Sequence, residues 1–130
     1  MMISTKGRYA LMIMAYIADS GDDKATSLKD IAESKKMGIK YLEIIVSSLT
    51  KAGLLESVRG KNGGYRLVKA PNQYSLLEIL NASEGSLAPV NCVEDGVCEN
   101  APNCKTNKMW CELDELINDY LSKKTLSELL

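Results

Sequence analysis

The chain has no histidine and no phenylalanine, and only one tryptophan and three prolines among 130 residues. Without histidine there is no imidazole to move protons near neutral pH, and no ring nitrogen to ligate a metal. No nucleophile stands beside a recognisable base, and "RGKNGG" (Arg59–Gly64) is not a Walker phosphate loop. The sequence therefore points away from an enzyme and calls for no small-molecule substrate. No stretch reaches the ~18 consecutive apolar residues needed to cross a bilayer, so no membrane association is expected. The apolar "YALMIMAYIA" that follows Lys6 and Arg8 lacks the small-x-small cleavage site of a secretory leader, and it merges into an amphipathic pattern. A cytoplasmic location is expected, where thiols stay reduced and clustered cysteines more often bind metal than form disulfides. Internal repeats and low-complexity segments are also missing.

What is present is ordinary in bulk and uneven in distribution. The composition is 45% hydrophobic and 25% charged, with a net charge of −1. Residues 1–70 carry 12 Lys/Arg against 7 Asp/Glu, a net of +5, whereas residues 71–130 carry 4 against 10, a net of −6. A basic front and an acidic rear suggest that the front meets a polyanion.

Hydrophobic periodicity predicts a first helix over residues 3–19, with Ala10, Leu11, Met14 and Ile17 on one side. A short second helix is expected from Ser27, a candidate cap with Asp30 three residues on, to about Glu33. "KKMG" then turns the chain into a third helix, from about Ile39 to Ala52 and closed by Gly53. Leu42, Ile45, Val46 and Leu49 fall at i, i+3, i+4 and i+7 and should form its buried stripe. "LLESV" and "YRLV", joined by the Gly-rich basic "RGKNGG", read as a β-hairpin. A fourth helix is expected from Ser75, with Glu78 completing a capping box, to about Ser83. No periodicity runs from Ser86 to Pro102. A long helix is then expected from Asn103, a candidate cap, to about Ser122, with Trp110, Leu113, Leu116, Ile117, Tyr120 and Leu121 along one side. "TLSELL" should close the chain as a small helical turn.

The predicted fold is mainly α with a small β-hairpin: a winged helix-turn-helix followed by a long C-terminal dimerisation helix. In such a fold the second helix of the pair enters the DNA major groove, and the wing tip reaches backbone or minor groove. Lys40, Tyr41, Glu43, Ile44 and Ser47 then face the groove, and Arg59, Gly60, Lys61, Asn62 and Gly63 form the tip. Lys40 suits phosphate or guanine, Glu43 can accept from cytosine N4, and Tyr41 can bond a phosphate. Arg59 suits a narrow minor groove. Lys6 and Arg8 add candidate phosphate contacts at the start of the first helix. The rival reading is a winged-helix module that binds protein, and the basic balance of this half argues against it.

All four cysteines lie between Cys92 and Cys111. Cys92, Cys98 and Cys104 are spaced C-x5-C-x5-C, looser than the tight pairs of structural zinc sites. Thiolates spread over an irregular loop can wrap an iron–sulfur cluster, and zinc or a redox-switching thiol pair remain open on spacing alone.

"STKGRYALMIMAYIA" (Ser4–Ala18), "YLEIIVSSLTKAGLLESVRGKNGGYRLVKAP" (Tyr41–Pro71) and the spaced cysteines resemble the Rrf-two family of bacterial transcription regulators, in particular its IscR-like, iron–sulfur-cluster-binding branch. The resemblance runs from Ile3 to about Tyr120, and "SVRGKNGGYRL" is its most specific part. It implies a homodimeric winged-helix regulator of double-stranded DNA, repressor or activator, whose affinity depends on a bound cluster. That cluster is a 2Fe–2S cluster ahead of a 4Fe–4S one, with Cys92, Cys98 and Cys104 as its ligands. Family members of this type use a histidine three residues after the third cysteine; here that position is Asn107, and the carry-over fails. If the last helix starts at Asn103, then Cys104, Asn107 and Cys111 share one face, which makes Cys111 a candidate fourth ligand. Against it, seven residues at ~1.5 Å rise put the two cysteine Cα atoms about 10 Å apart. Glu94, Asp95, Glu99, water or a small thiol are other candidates, and a weak fourth ligand would make the cluster labile. Cues within the family include iron–sulfur supply, redox state and nitric oxide, and one branch senses cysteine metabolism without a cluster.

The expected division is a DNA-binding winged helix over 1–84, a cysteine-rich cluster loop over 85–102, and a dimerisation helix with a terminal turn over 103–130. A two-fold dimer implies a palindromic operator. The alternatives are a thiol-based redox-switch regulator without a cluster and a zinc-stabilised winged-helix interaction module.

Overall fold

The computed structural model describes residues 3–21, 24–94 and 101–130. Ser4 caps α1 (Thr5–Asp19), its hydroxyl accepting from the Gly7 N–H at 3.2 Å. Ala10, Ile13, Met14 and Ile17 are its buried apolar residues, while Leu11 is half-buried against the core. Ser27 caps α2 (Leu28–Lys35) through the Asp30 N–H, as their spacing predicts. The helix runs to Lys35 rather than Glu33 and ends on Lys36, whose φ of 53° is left-handed.

The next helix, α3 (Ile39–Lys51), buries Leu42, Ile45, Val46 and Leu49 completely, the stripe its spacing predicts. Gly53 follows at φ 78°, and the Leu54 N–H returns to the Leu49 carbonyl at 3.0 Å. That six-to-one bond with a buried apolar residue after the glycine is a Schellman closure. It delivers the chain into β1 (Leu55–Val58), which pairs antiparallel with β2 (Gly64–Leu67) in the register Leu55 opposite Leu67 and Val58 opposite Gly64. A feature that no local sequence pattern signals extends this hairpin. Thr26, just before α2, pairs with Tyr65 through two 2.8 Å backbone hydrogen bonds and ties the wing to the helix-turn-helix.

A 3₁₀ turn (Pro71–Gln73) leads to Tyr74, which has no solvent exposure. Its phenol donates to the Leu54 carbonyl at 2.7 Å and accepts from the Val68 N–H at 2.9 Å, joining both ends of the hairpin to the segment beyond it. Burial pushes this phenol's pKa above its ordinary value. Ser75 caps α4 (Leu76–Glu84), which buries Leu76, Ile79 and Leu80. The chain end returns to the same place. Thr125 bridges Ser75, the Leu126 N–H reaches the Tyr74 carbonyl at 3.0 Å, and the Leu126 side chain is fully buried in the core.

Two expectations about the rear are corrected. The segment after Ser86 is not free of regular structure: a helical turn, α5 (Asn91–Glu94), and a 3₁₀ turn (Ala101–Asn103) lie in it. Both are too short to show a period. The long helix, α6 (Asn107–Lys123), has Thr106 at its cap position, three residues after the expected cap Asn103. Asn103 belongs to the 3₁₀ turn instead, and the Cys104 N–H bonds back to Ala101. No residue of α6 is buried, and its main packing partner within the chain is α4.

Candidate nucleic-acid interface and cysteine segment

Because α3 spends Leu42, Ile45, Val46 and Leu49 on the core, its other face is forced outward. Lys40, Tyr41, Glu43, Ile44 and Ser47 are all exposed, Ile44 at 55%. An isoleucine left that open on a polar face offers an apolar contact of the kind a thymine methyl makes. The Tyr41 ring meets Tyr9 of α1 edge-on, centroids 5.9 Å apart, so its position is set by a second helix. Gly38 precedes α3 and supplies no side-chain cap. Its first-turn amides therefore meet no capping side chain, which suits a phosphate.

At the wing, Arg59, Gly60, Lys61 and Asn62 are exposed and Gly63 is half-buried. Gly60 has φ 114°, and the Gly63 N–H closes the tip on its carbonyl at 3.0 Å. A methyl at Gly63 would collide with the Val58 carbonyl, and one at Gly64 with that of Thr26. Backbone approach demands glycine at both. A groove of about 620 Å³ between the wing and the start of α2 is lined by Lys24, Ser27, Asp30, Lys61 and Arg66. Lys24 and Arg66 are cations that sequence pattern alone does not single out, since only the Thr26–Tyr65 pairing brings Lys24 to the wing. Arg66 is ion-paired with its cross-strand neighbour Glu56. Arg8 is exposed on the first turns of α1 and Lys6 is half-buried.

The cysteines are less gathered. Cys98 lies outside the described residues, as do Asp95 and Glu99. Cys92 is half-buried on α5, Cys104 is exposed, and Cys111 is half-buried on α6. Since Cys104 precedes the helix, the face it was expected to share with Asn107 and Cys111 does not exist. Only the latter two meet, Cys111 Sγ lying 3.8 Å from Asn107 Oδ1. Cys104 Sγ is instead 3.3 Å from the Thr106 hydroxyl. That hydroxyl, followed by the Thr106 amide, holds the thiol's pKa below its ordinary value. Thr106 gives α6 no side-chain cap, and its backbone is helical rather than extended like that of Ser4, Ser27 and Ser75. Segment and helix are in contact, and Val93 and Glu94 share a polar cavity with Asp114 and Asn118. Among the described residues no three Cys, Asp or Glu side chains converge as a metal site. The donors thus fit an iron–sulfur cluster in kind, as soft thiols with one drawn toward thiolate. The described residues do not assemble them.

At the rear, Leu116 and Tyr120 of α6 are 67% and 61% exposed. With Ile3, Leu80, Ile117 and Leu121 they line an apolar cleft of about 350 Å³. Among the described residues no helix is long and apolar enough to cross a membrane.

A family model described as "Rrf2: Iron-dependent Transcriptional regulator" matches residues 3–130. The HTH-type transcriptional regulator IscR of Vibrio cholerae is 36% identical over 130 residues, which is all of this chain and 75% of that one. Among solved structures, CymR, the global cysteine regulator of B. subtilis, is 38% identical with a TM-score of 0.82, covering 99% of this chain and 95% of that one. IscR of T. potens is 32% identical with a TM-score of 0.79, covering 99% and 85%.

Proposed function

We infer the function from a plain premise: this chain belongs to the Rrf2 family of transcriptional regulators, which are not enzymes. In our reading it is a cytoplasmic, sequence-specific DNA-binding regulator under the control of an iron–sulfur cluster. The observation that carries the DNA part is α3, whose core stripe is fully buried while Lys40, Tyr41, Glu43, Ile44 and Ser47 stand in solvent. Arg59, Gly60, Lys61, Asn62 and Gly63 add the wing contact, and Lys6 and Arg8 hold phosphates. Glu43 favours discrimination over affinity, since an acid facing a polyanion weakens every complex in which no base donates to it.

Residues 1–84 read DNA, residues 85–102 sense, and residues 103–130 join two copies through the apolar side of α6. The terminal turn also anchors the head through Leu126. The exposed Leu116 and Tyr120 support the pairing, because an apolar cleft of this kind gains by excluding water. A two-fold dimer places the two α3 helices about 34 Å apart, or a multiple of that, on a palindromic operator.

Cys92, Cys98 and Cys104 would hold the cluster, 2Fe–2S ahead of 4Fe–4S, and Cys111 is the candidate fourth ligand. When bound, the cluster supplies a redox-active, removable group. The chain's own part is to carry that state from the cysteine segment into α6, against which α5 packs. Anaerobic purification with visible absorption, iron and sulfide content is the test. A brown protein with stoichiometric iron and sulfide, whose affinity for duplex DNA selected from a random library changes on cluster loss, is expected. A protein that stays iron-free after reconstitution overturns the cluster, and the spectrum of Cys111→Ala reports on the fourth ligand.

A second reading, a thiol switch without a cluster, is favoured by one arrangement. Cys104 is exposed and no three ligands converge among the described residues; the likeness to CymR points the same way. It requires an iron-free protein whose DNA affinity responds to a disulfide oxidant and recovers with dithiol.

A further inference from the structure

Glu84, the last residue of α4, reaches the first turn of α1. Its Oε1 accepts from the Ser4 backbone N–H at 2.9 Å and from the Ser4 hydroxyl at 2.7 Å. That hydroxyl in turn accepts from the Gly7 N–H at 3.2 Å. The Ser4 cap is therefore held by a carboxylate 80 residues away in sequence, resting at the positive end of a helix. Gly7 is buried, and a Cβ there would run into the Glu84 carboxylate. Glycine at this position keeps the space that the carboxylate fills. Ser4 and Gly7 bracket Lys6, and Arg8 follows directly. Farther along α1, Ala10, Ile13, Met14 and Ile17 lock the helix into the core. The turn bearing the two cations lies before those residues, and Glu84 clasps its cap from across the fold.

We propose that Glu84 is a positioning residue for DNA binding: it fixes the first turn of α1 so that Lys6 and Arg8 meet the phosphate backbone together. The inference rests on the reading of Lys6 and Arg8 as DNA contacts. Its sign separates it from a simple charge effect. Deleting a carboxylate beside a polyanion would tighten binding on electrostatics alone. Loss of a positioning group weakens it.

The test uses the full chain and a duplex that the wild type selects from a random-sequence library, with affinity measured between 50 and 200 mM salt and melting recorded for each variant. Lys6→Ala with Arg8→Ala should lower the slope of log affinity against log salt by about 2, one for each phosphate contact. Glu84→Ala should weaken binding about tenfold and lower that slope by about 1. It should cause no further loss when added to the Lys6→Ala and Arg8→Ala background. Glu84→Gln, which keeps the acceptor oxygen, should bind within about twofold of wild type. Gly7→Ala, which displaces the carboxylate while leaving Glu84 in the chain, should reproduce the Glu84→Ala loss. Tighter or unchanged binding by Glu84→Ala overturns the proposal, as does an equal loss in the Lys6→Ala and Arg8→Ala background; both leave the DNA reading standing. If removing the two cations changes neither affinity nor slope, the DNA role of this turn and the inference fall together. Should Glu84→Ala fail to fold, a folded Gly7→Ala with wild-type affinity is sufficient to overturn it.

Discussion

The helices α3 and α6 are both amphipathic, at 13 and 17 residues, and they finish in opposite situations. In α3, Leu42, Ile45, Val46 and Leu49 have no exposure at all; in α6 nothing is buried, and Leu116 and Tyr120 remain largely open. An apolar stripe states that a face needs cover. It does not state whether the cover lies in the same chain. α3 finds it in α1, α2 and α4, whereas α6, among the described residues, packs mainly on α4 with the short α5 beside it. The head is complete within one chain, and the rear keeps a face to spare.

That contrast can be broken in order of size. Leu126 comes from the rear of the sequence and belongs to the core of the head, so Leu126→Ala should cost about 2–5 kcal/mol in urea unfolding. A cost below about 1 kcal/mol would detach the terminal turn from the head. Leu116→Lys combined with Tyr120→Lys should yield a folded monomer in sedimentation and weaken operator binding about a hundredfold, or about 2.7 kcal/mol. A dimer that survives both changes would move the interface off α6. Tyr74→Phe removes a phenol bonded to Leu54 and Val68 and should cost about 1–3 kcal/mol. Its pH dependence has a definite sign. The folded-state pKa of Tyr74 is raised, so its stabilisation is complete below the unfolded phenol value of about 10 and is lost as pH rises through the folded value. Tyr74→Phe should lack that part of the alkaline loss, and a variant with the wild-type alkaline profile would exclude Tyr74 as its source. The smallest effect belongs to the exposed Asp119–Lys123 pair on α6. Asp119→Asn should change stability by less than about 0.5 kcal/mol and less still in high salt; a larger loss would mean this face is covered.

Much of the front was legible because its signals are local. The α3 stripe needs only four apolar residues in period, and the Ser27 and Ser75 caps need only the next three residues. The glycines at 53, 60, 63 and 64 mark turns that other residues cannot make. The outward face of α3 follows by elimination once its inner face is known. The rear misled because residue type alone does not decide where a helix starts. Asn103 is as good a cap as Ser27 by residue type, yet it sits in a 3₁₀ turn, and α6 begins after Thr106, whose hydroxyl is turned to Cys104. With that shift the supposed shared face of Cys104 and Cys111 was lost. For the cysteines, spacing names donors; their convergence depends on how the segment lies on α6.

Within reach of a few residues, periodicity, caps and turn glycines were enough to specify a winged helix-turn-helix with a long amphipathic tail, because backbone hydrogen bonds and side-chain facing are set over one or two helical turns. Folding in three dimensions settled the rest. The Thr26 bridge to Tyr65, the Tyr74 phenol between Leu54 and Val68, the burial of Leu126 and the Glu84 clasp on Ser4 each join residues far apart in the chain. No local pattern encodes such pairs, since each exists only after the helices have packed and brought a donor within reach of its acceptor.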